Sequence, residues 1–301
     1  MCSSDLVVDY LYQTAPTNFT EDKWIAAAEV RPGNRAVVHH VIAFVLPPEG
    51  ESPAAMLRDT MRFGAFCEAS RPNADTIKRF TELARAGRGI REMGANLVGW
   101  APGGQGAVYP AGAGKLIRAG SRILFQLHYT PSGKAAVDSQ TKVGLIFAKG
   151  PVTKTVHTLP VMNPNLAIPP GDPNYQSQSC FTFSKEVTVV GMAPHMHVRG
   201  KDFLFRVTYP DGRSEPLLRV PRYDFNWQTG YRPAEPIVLP KGARIDCTAH
   251  HDNSANNKYN PDPAKTVHWG DQTWEEMMIG WLSITADREP AGPTTTGSGG
   301  N

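Results

Sequence analysis

Proline and glycine punctuate this chain at short intervals along almost its whole length, 26 and 28 residues respectively, and no single tract holds them. Each proline removes a backbone donor and each glycine marks a turn, so long helices are excluded over most of the sequence. Many short strands joined by tight turns are what remains, an all-β fold with few helices. At 301 residues the chain exceeds one compact core and suits two domains.

The strands can be placed from β-branched and aromatic runs. Residues 7–46 read as strands with a short helical interruption at Asp22–Ala28, and Arg35–Leu46 is a buried-strand run closed by Pro47-Pro48. Two short helices follow. Ser52 can cap the first, with Pro53 at its first position, and Asp75–Ala86 puts Ile77, Phe80, Leu83 and Ala84 on one face before Gly87 stops it. Gly99–Gly114 is a Gly/Pro-rich lead into the strand Arg122–Thr130, and Lys142–Lys149 ends the first half. Gly150-Pro151 is the predicted boundary between an N-terminal β-sandwich (7–150) and a C-terminal one (151–289), each jelly-roll-like. In the second half Phe181–Met192, Phe203–Tyr209, Ile237–Leu239, Arg244–Ala249 and Trp274–Ile284 read as strands. Residues 290–301 are too rich in Gly, Ser and Thr to bury a core and are expected to form a disordered tail. A faint repeat links the halves: Ala119-Gly120-Ser121-Arg122-Ile123 before His128 and Lys241-Gly242-Ala243-Arg244-Ile245 before His250.

A net charge of +3, without any run of five basic residues or interleaved aromatics, gives no footprint for nucleic acid. No apolar stretch approaches the ~18 residues of a membrane span. Met1–Leu6 reads like a translated adapter joined to a gene fragment, so an export signal is expected upstream of this sequence and the protein is expected to be periplasmic or extracellular. Setting Cys2 aside leaves Cys67, Cys180 and Cys247, enough for one disulfide.

The nine histidines are grouped. His195-Met196-His197 is the sharpest group, because residues i and i+2 of a strand share a face and both imidazoles can reach one ion. The alternative is a pair of exposed strand histidines. His39-His40 is awkward, since adjacent strand residues point to opposite faces, and both can bind one ion only where a bulge or strand end turns one of them. His128 shares a strand face with Gln126, and a hydrogen-bonded core histidine is its alternative reading. Met277-Met278 offers at most one thioether to a site on one side of the strand, a soft donor that favours Cu(I). His157 stands alone in a Pro-rich linker.

Two adjacent histidines plus a third in the first half, then His-x-His plus Met in the second, resemble the copper type II, ascorbate-dependent monooxygenases, the family of peptidylglycine α-hydroxylating monooxygenase and dopamine β-monooxygenase. The resemblance covers most of residues 7–288. It implies that His39, His40 and His128 hold an electron-transfer copper, and that His195, His197 and Met277 hold an oxygen-binding copper. It also implies that Gln126 lies near the first copper facing the second, that ascorbate is the reductant, and that O₂ and a small-molecule or peptide-like substrate are the partners. Met277 is preferred to Met278 because the family's ligand follows an acidic pair, here Glu275-Glu276. Asp252, Glu275 and Glu276 are candidates to fix the second ring nitrogens.

The chain departs from the peptide-amidating members at two positions. Ala193 stands where they have a substrate-anchoring arginine and Trp281 where they have a tyrosine, which argues against glycine-extended peptides as substrate. Cys180 and Cys247 match two family cysteines whose partners are missing, so they are expected either to pair with each other or to be free. His250, His251 and His268 are unexplained by the family pattern, and the repeat suggests a place near the second copper or the substrate cleft for His250. A copper-carrying β-sandwich without catalysis is the main competing reading. A zinc hydrolase using His-x-His lacks a general-base motif such as His-Glu-x-x-His.

Overall fold

The computed structural model describes residues 10–51, 60–85 and 94–288, and the helix expected after Ser52 and the tail 290–301 lie outside them. Among these residues nineteen strands, β1–β19 in chain order, and one α-helix, α1 (Ala74–Arg85), form an all-β sandwich fold. A four-stranded sheet has the order β1 (Leu11–Pro16), β8 (Arg122–Tyr129), β3 (Val38–Leu46), β5 (Ala95–Trp100). A five-stranded sheet runs β15 (Ser214–Val220), β14 (Gly200–Thr208), β17 (Arg244–His251), β12 (Tyr175–Phe183), β4 (Gly64–Phe66).

The third large sheet joins the two halves of the sequence. Its order is β16 (Ile237–Leu239), β13 (Val187–His195), β19 (Ile279–Asp287), β10 (Lys154–Met162), β7 (Ala113–Ile117), β2 (Lys23–Arg31), β6 (Ala107–Val108), and β9 (Lys142–Phe147) also pairs with β2. The link is the short parallel pairing Lys154↔Ala113 and Thr155↔Gly114. Each half of this long sheet is covered by one of the others. Phe181, Phe183, Phe203 and Phe205 of the five-stranded sheet pack on Leu159, Val189, Leu282 and Ile284, while Val41, Ala43, Leu97 and Leu127 of the four-stranded sheet pack on Ile25, Ala28, Val30 and Ile117. The alternation of buried residues along β12, β14 and β17 is the period-2 signature of strands with one face in a core. Each fully buried phenylalanine contributes about 1.5–3 kcal/mol relative to an exposed one.

The internal repeat has a local cause. Gly120 and Gly242 both have positive φ (72° and 87°), and in both turns the next residue's N–H closes back on a carbonyl, Ser121 to Arg118 and Ala243 to Pro240. Each half therefore enters a long central strand through the same glycine turn.

Several expectations are corrected. Asp22–Ala28 is not helical: its alanine run has helix propensity, but pairing of β2 with β7 and β9 overrides it. Phe181–Met192 is two strands, β12 and β13, separated by a turn. The last strand begins at Ile279 rather than Trp274, and His157 lies within β10 rather than in a linker. On α1 the inward face is offset from the expected one, with Thr76 buried and Ile77 exposed.

Cys180 pairs with neither expected option. Its disulfide partner is Cys67, at a Cα–Cα distance of 5.5 Å, and Cys247 is a free buried thiol. Cys67 follows β4 immediately, so the bond fastens a first-half strand to the edge of the second-half sheet beside the Phe66↔Phe181 pairing. Its presence fits an oxidising environment. The bond closes a sequence separation of 113 residues. Replacing both cysteines by serine is expected to lower the unfolding free energy by about 2–5 kcal/mol in urea titrations, and an unchanged midpoint would show that the pairing alone holds β4.

Candidate metal centre

The difficulty with His39-His40 is resolved by a β-bulge. The register of β3 against β8 shifts between Val38 and His40, which puts His40 directly opposite His128 and turns His39 out of the regular alternation. All three side chains are buried, and ligand atoms of the three lie within 4.8 Å of one another. The Nδ1 atoms of His39 and His40 are 3.2 Å apart, and Nδ1 of His128 is buried without a hydrogen-bond partner. Nitrogens held ~2 Å from one ion at near-tetrahedral angles are about 3.3 Å apart, so the spacing fits a shared metal. Tyr10 packs edge-on against His40 and His128, and Thr273, from the second half, lies 3.3 Å from His128 Nε2.

The second group forms where β13 ends. His195 is its last residue, paired with Ile279 of β19, and His197 follows in irregular backbone. Their rings are 5.2 Å apart and nearly perpendicular. His195 Nδ1 lies 2.6 Å from the Gln228 side-chain oxygen, and His197 Nδ1 lies 3.2 Å from the Glu275 carbonyl. With Nδ1 so occupied, Nε2 is the nitrogen each ring has left, and in His197 it is buried without a partner.

The wholly buried Glu276 sets this loop. Its Oε1 accepts the backbone N–H of both His197 and Met277, and its Oε2 accepts that of Arg199. Burial pushes its carboxyl up to about 7 against the pull of those donors and of the Arg199 guanidinium. Before β19 Glu276 makes only an isolated parallel bridge to Trp269, and the expected strand starts late, at Ile279. The Glu276 carboxylate also lays the Met277 backbone beside that of His197. The Met277 side chain packs against the cluster of Leu166, Ile168, Val267 and Trp269, whereas Met278 lies in the phenylalanine core, where its sulfur accepts from the Ser179 hydroxyl.

The two groups adjoin. Phe225 stacks on His39 with ring centres 4.5 Å apart and sits edge-on to His197 at 5.9 Å. A cavity of about 530 Å³ has both His40 and His195 in its wall, together with Ala193 and Trp281, which face each other across the β13–β19 pair. Gln126 lies on the His128 face of β8, opposite Ile42, and its amide nitrogen donates to the Tyr12 hydroxyl at 2.8 Å.

The remaining histidines have other partners. His250 bonds Asp202 at 2.8 Å, His251 is buried against Ser177, and His157 meets Thr155 and the Phe63 ring. His268 is exposed at the short β18 (Val267–His268). Of the proposed ring anchors, Glu275 serves through its carbonyl and Glu276 through the backbone, whereas Asp252 accepts from Ser254. Sequence reasoning missed Phe225, Gln228, Tyr10 and Thr273. The aromatic-rich loop Tyr223–Tyr231 carried a signal for the first two, since large rings in a loop call for a partner.

Burial keeps these rings neutral. Desolvation lowers the proton affinity of His39, His40 and His197, and brings His128 down to about 3 and His195 to about 4. The unfolded chain takes up protons near pH 6.5 that the folded chain refuses, so stability rises with pH across that window. The metal-free protein is expected to lose thermal stability steadily as pH falls from about 6.5 to about 4. A melting temperature flat over that range would contradict neutral buried rings.

No protein-family model matches this chain, and no curated protein matches it. Solved structures include an infectious bursal disease virus particle, 11% identical over 94% of this chain and 71% of that one, with a TM-score of 0.22. The VP2 subviral particle of the same virus is 10% identical over 94% and 74%, with a TM-score of 0.19. Superpositions this poor carry no argument.

Proposed function

We propose that this protein is a dicopper monooxygenase that hydroxylates a C–H bond of an organic substrate, drawing electrons from an external reductant such as ascorbate. The observation that carries the reading is the pairing of two imidazole groups at one cavity, whose wall holds His40 from the three rings at one end of β3 and β8 and His195 from the two at the end of β13. Neutral imidazole is the form that binds a metal, and rings already desolvated and oriented lose little on binding one. His39, His40 and His128 would hold the first ion; His195, His197 and Met277 would hold the second. A methionine in the second set favours Cu(I). When bound, copper supplies the redox chemistry by which one O₂ atom enters the substrate and the other leaves as water, with two electrons and two protons consumed.

The chain's own residues have defined tasks. Gln228 and the Glu275 carbonyl orient His195 and His197. The Glu276 carboxylate fixes the backbone of the second set, and Phe225 packs against a ring of each set. Ala193 and Trp281 leave the cavity wall small on one side and aromatic on the other. The Cys67–Cys180 disulfide supports a periplasmic or extracellular location. Among the described residues no helix is long and apolar enough to cross a membrane.

A copper carrier without catalysis would keep the histidines but has no use for a cavity of this size between them. Ascorbate-driven O₂ uptake by the copper-loaded protein separates the two: the enzyme consumes O₂ and the carrier does not. Met277→Ala is expected to abolish hydroxylation while the His39/His40/His128 copper stays bound. Loss of both coppers in that variant, or full activity, would overturn the assignment.

A further inference from the structure

Lys115 is a buried amine that meets no carboxylate among the described residues. It lies on the inward face of β7 with Ala113 and Ile117, and its side chain is turned into the wall of the cavity that holds His40 and His195. Its ammonium donates to the carbonyls of Asn96 and Leu97, the latter at 3.1 Å, and to the Thr158 hydroxyl at 2.9 Å, and it lies 5.7 Å from the Tyr109 ring centre. These are neutral partners. Among the described residues no aspartate or glutamate lines the cavity, and no carboxylate forms an ion pair with Lys115. Burial alone pushes its amine down to about 7. The other charged lining residue is also a cation, Arg232 at the exposed rim, held by the Gly106 carbonyl.

Charged groups are buried at a cost of several kcal/mol unless an opposite charge meets them. A lysine amine desolvated beside an open cavity, with a cation at the rim and no acid among the described wall residues, keeps its charge most readily when an anion joins it. The strand register measures how far that charge would sit from the histidines. Thr158, which Lys115 touches, is opposite Ser283, and Ser283 is opposite Gly191. Gly191, Ala193 and His195 succeed one another on one face of β13, so the lysine end and the histidine end are four residues apart along the strands, roughly 13 Å at ~3.3 Å per residue. They are also two strands apart across the sheet, roughly 10 Å at ~4.8 Å per strand, which makes about 16 Å on the diagonal. Trp281 lies at the intermediate level, opposite Ala193, and gives the middle of the cavity an apolar floor.

We propose that this cavity binds an extended organic anion, a carboxylate on an apolar chain, with its charged end replacing one of the three neutral acceptors on the Lys115 ammonium, its body across Trp281 and its far end towards His195. Binding requires only the cavity; that the ligand is the substrate rests on the monooxygenase reading. The far, apolar end is then the part presented for hydroxylation, and amines and short acids are rejected, the former by like charge and the latter by length.

The test uses the metal-free full chain and probes with one body and different heads: octanoate, octylamine and octan-1-ol, with propionate as the short acid. Binding is followed by isothermal titration calorimetry and by the fluorescence of Trp100 and Trp281, which line the cavity. Octanoate is expected to bind about tenfold or more tighter than octanol and than propionate, with octylamine weakest. Lys115→Met is expected to lower octanoate affinity about tenfold or more and to leave octanol unchanged, and Arg232→Gln to have a smaller effect because a rim charge is screened. Equal binding of the three heads by the wild-type protein overturns the proposal, as does a folded Lys115→Met variant that keeps its preference for octanoate. The head-group series needs no variant, so misfolding of Lys115→Met leaves the proposal open to refutation. No metal takes part, so failure here is distinguishable from failure to consume O₂.

Discussion

Taking four imidazoles out of water at one seam, with a fifth, His195, half-buried beside them, is the constraint around which this molecule is arranged. A buried ring cannot keep a proton, and an unprotonated ring keeps a lone pair that needs a donor or an ion. The protein meets part of that need itself, with Thr273 at His128, Gln228 at His195 and the Glu275 carbonyl at His197. It leaves ring nitrogens of His39, His128 and His197 buried and unmatched. Rings oriented from one side and left open on the other are what a metal site looks like before its metal is bound.

The seam is made by strand pairing rather than by a loose contact of two bodies. The pairing of β7 with β10 runs one sheet through both halves, and the Cys67–Cys180 disulfide ties β4 to the sheet on the other side. Those links fix the end of β3 and β8 against the end of β13 and the Glu276 loop. Phe225 fills the gap between His39 and His197, and Thr273 reaches His128 across it. The first group of histidines therefore has part of its surroundings supplied by the second half of the chain.

Much of this was legible in the sequence because the relevant signals are local. The all-β class followed from the spread of proline and glycine, and Arg122–Thr130 and Arg35–Leu46 declared themselves as strands by their β-branched and aromatic content. The need for a bulge at His39-His40 followed from the alternation of strand side chains, and the register shift is there. What was not legible depends on distant partners. The alanine run in β2 becomes a strand only because β7 and β9 lie beside it. Cys180 meets Cys67 only because β4 crosses to the second-half sheet. Nothing near Glu276 in sequence says that its carboxylate will collect three backbone donors from two segments, nor does the sequence around Lys115 reveal that no acid faces it.

The central claim is that the two histidine groups are separate metal sites, and copper stoichiometry measures it most directly. Elemental analysis after reconstitution and removal of free metal would be run on the wild-type protein and on His39→Ala and His195→Ala. The account predicts two coppers in the wild-type protein and one in each variant. One copper or none in the wild-type protein, or loss of all copper from either variant, would contradict it.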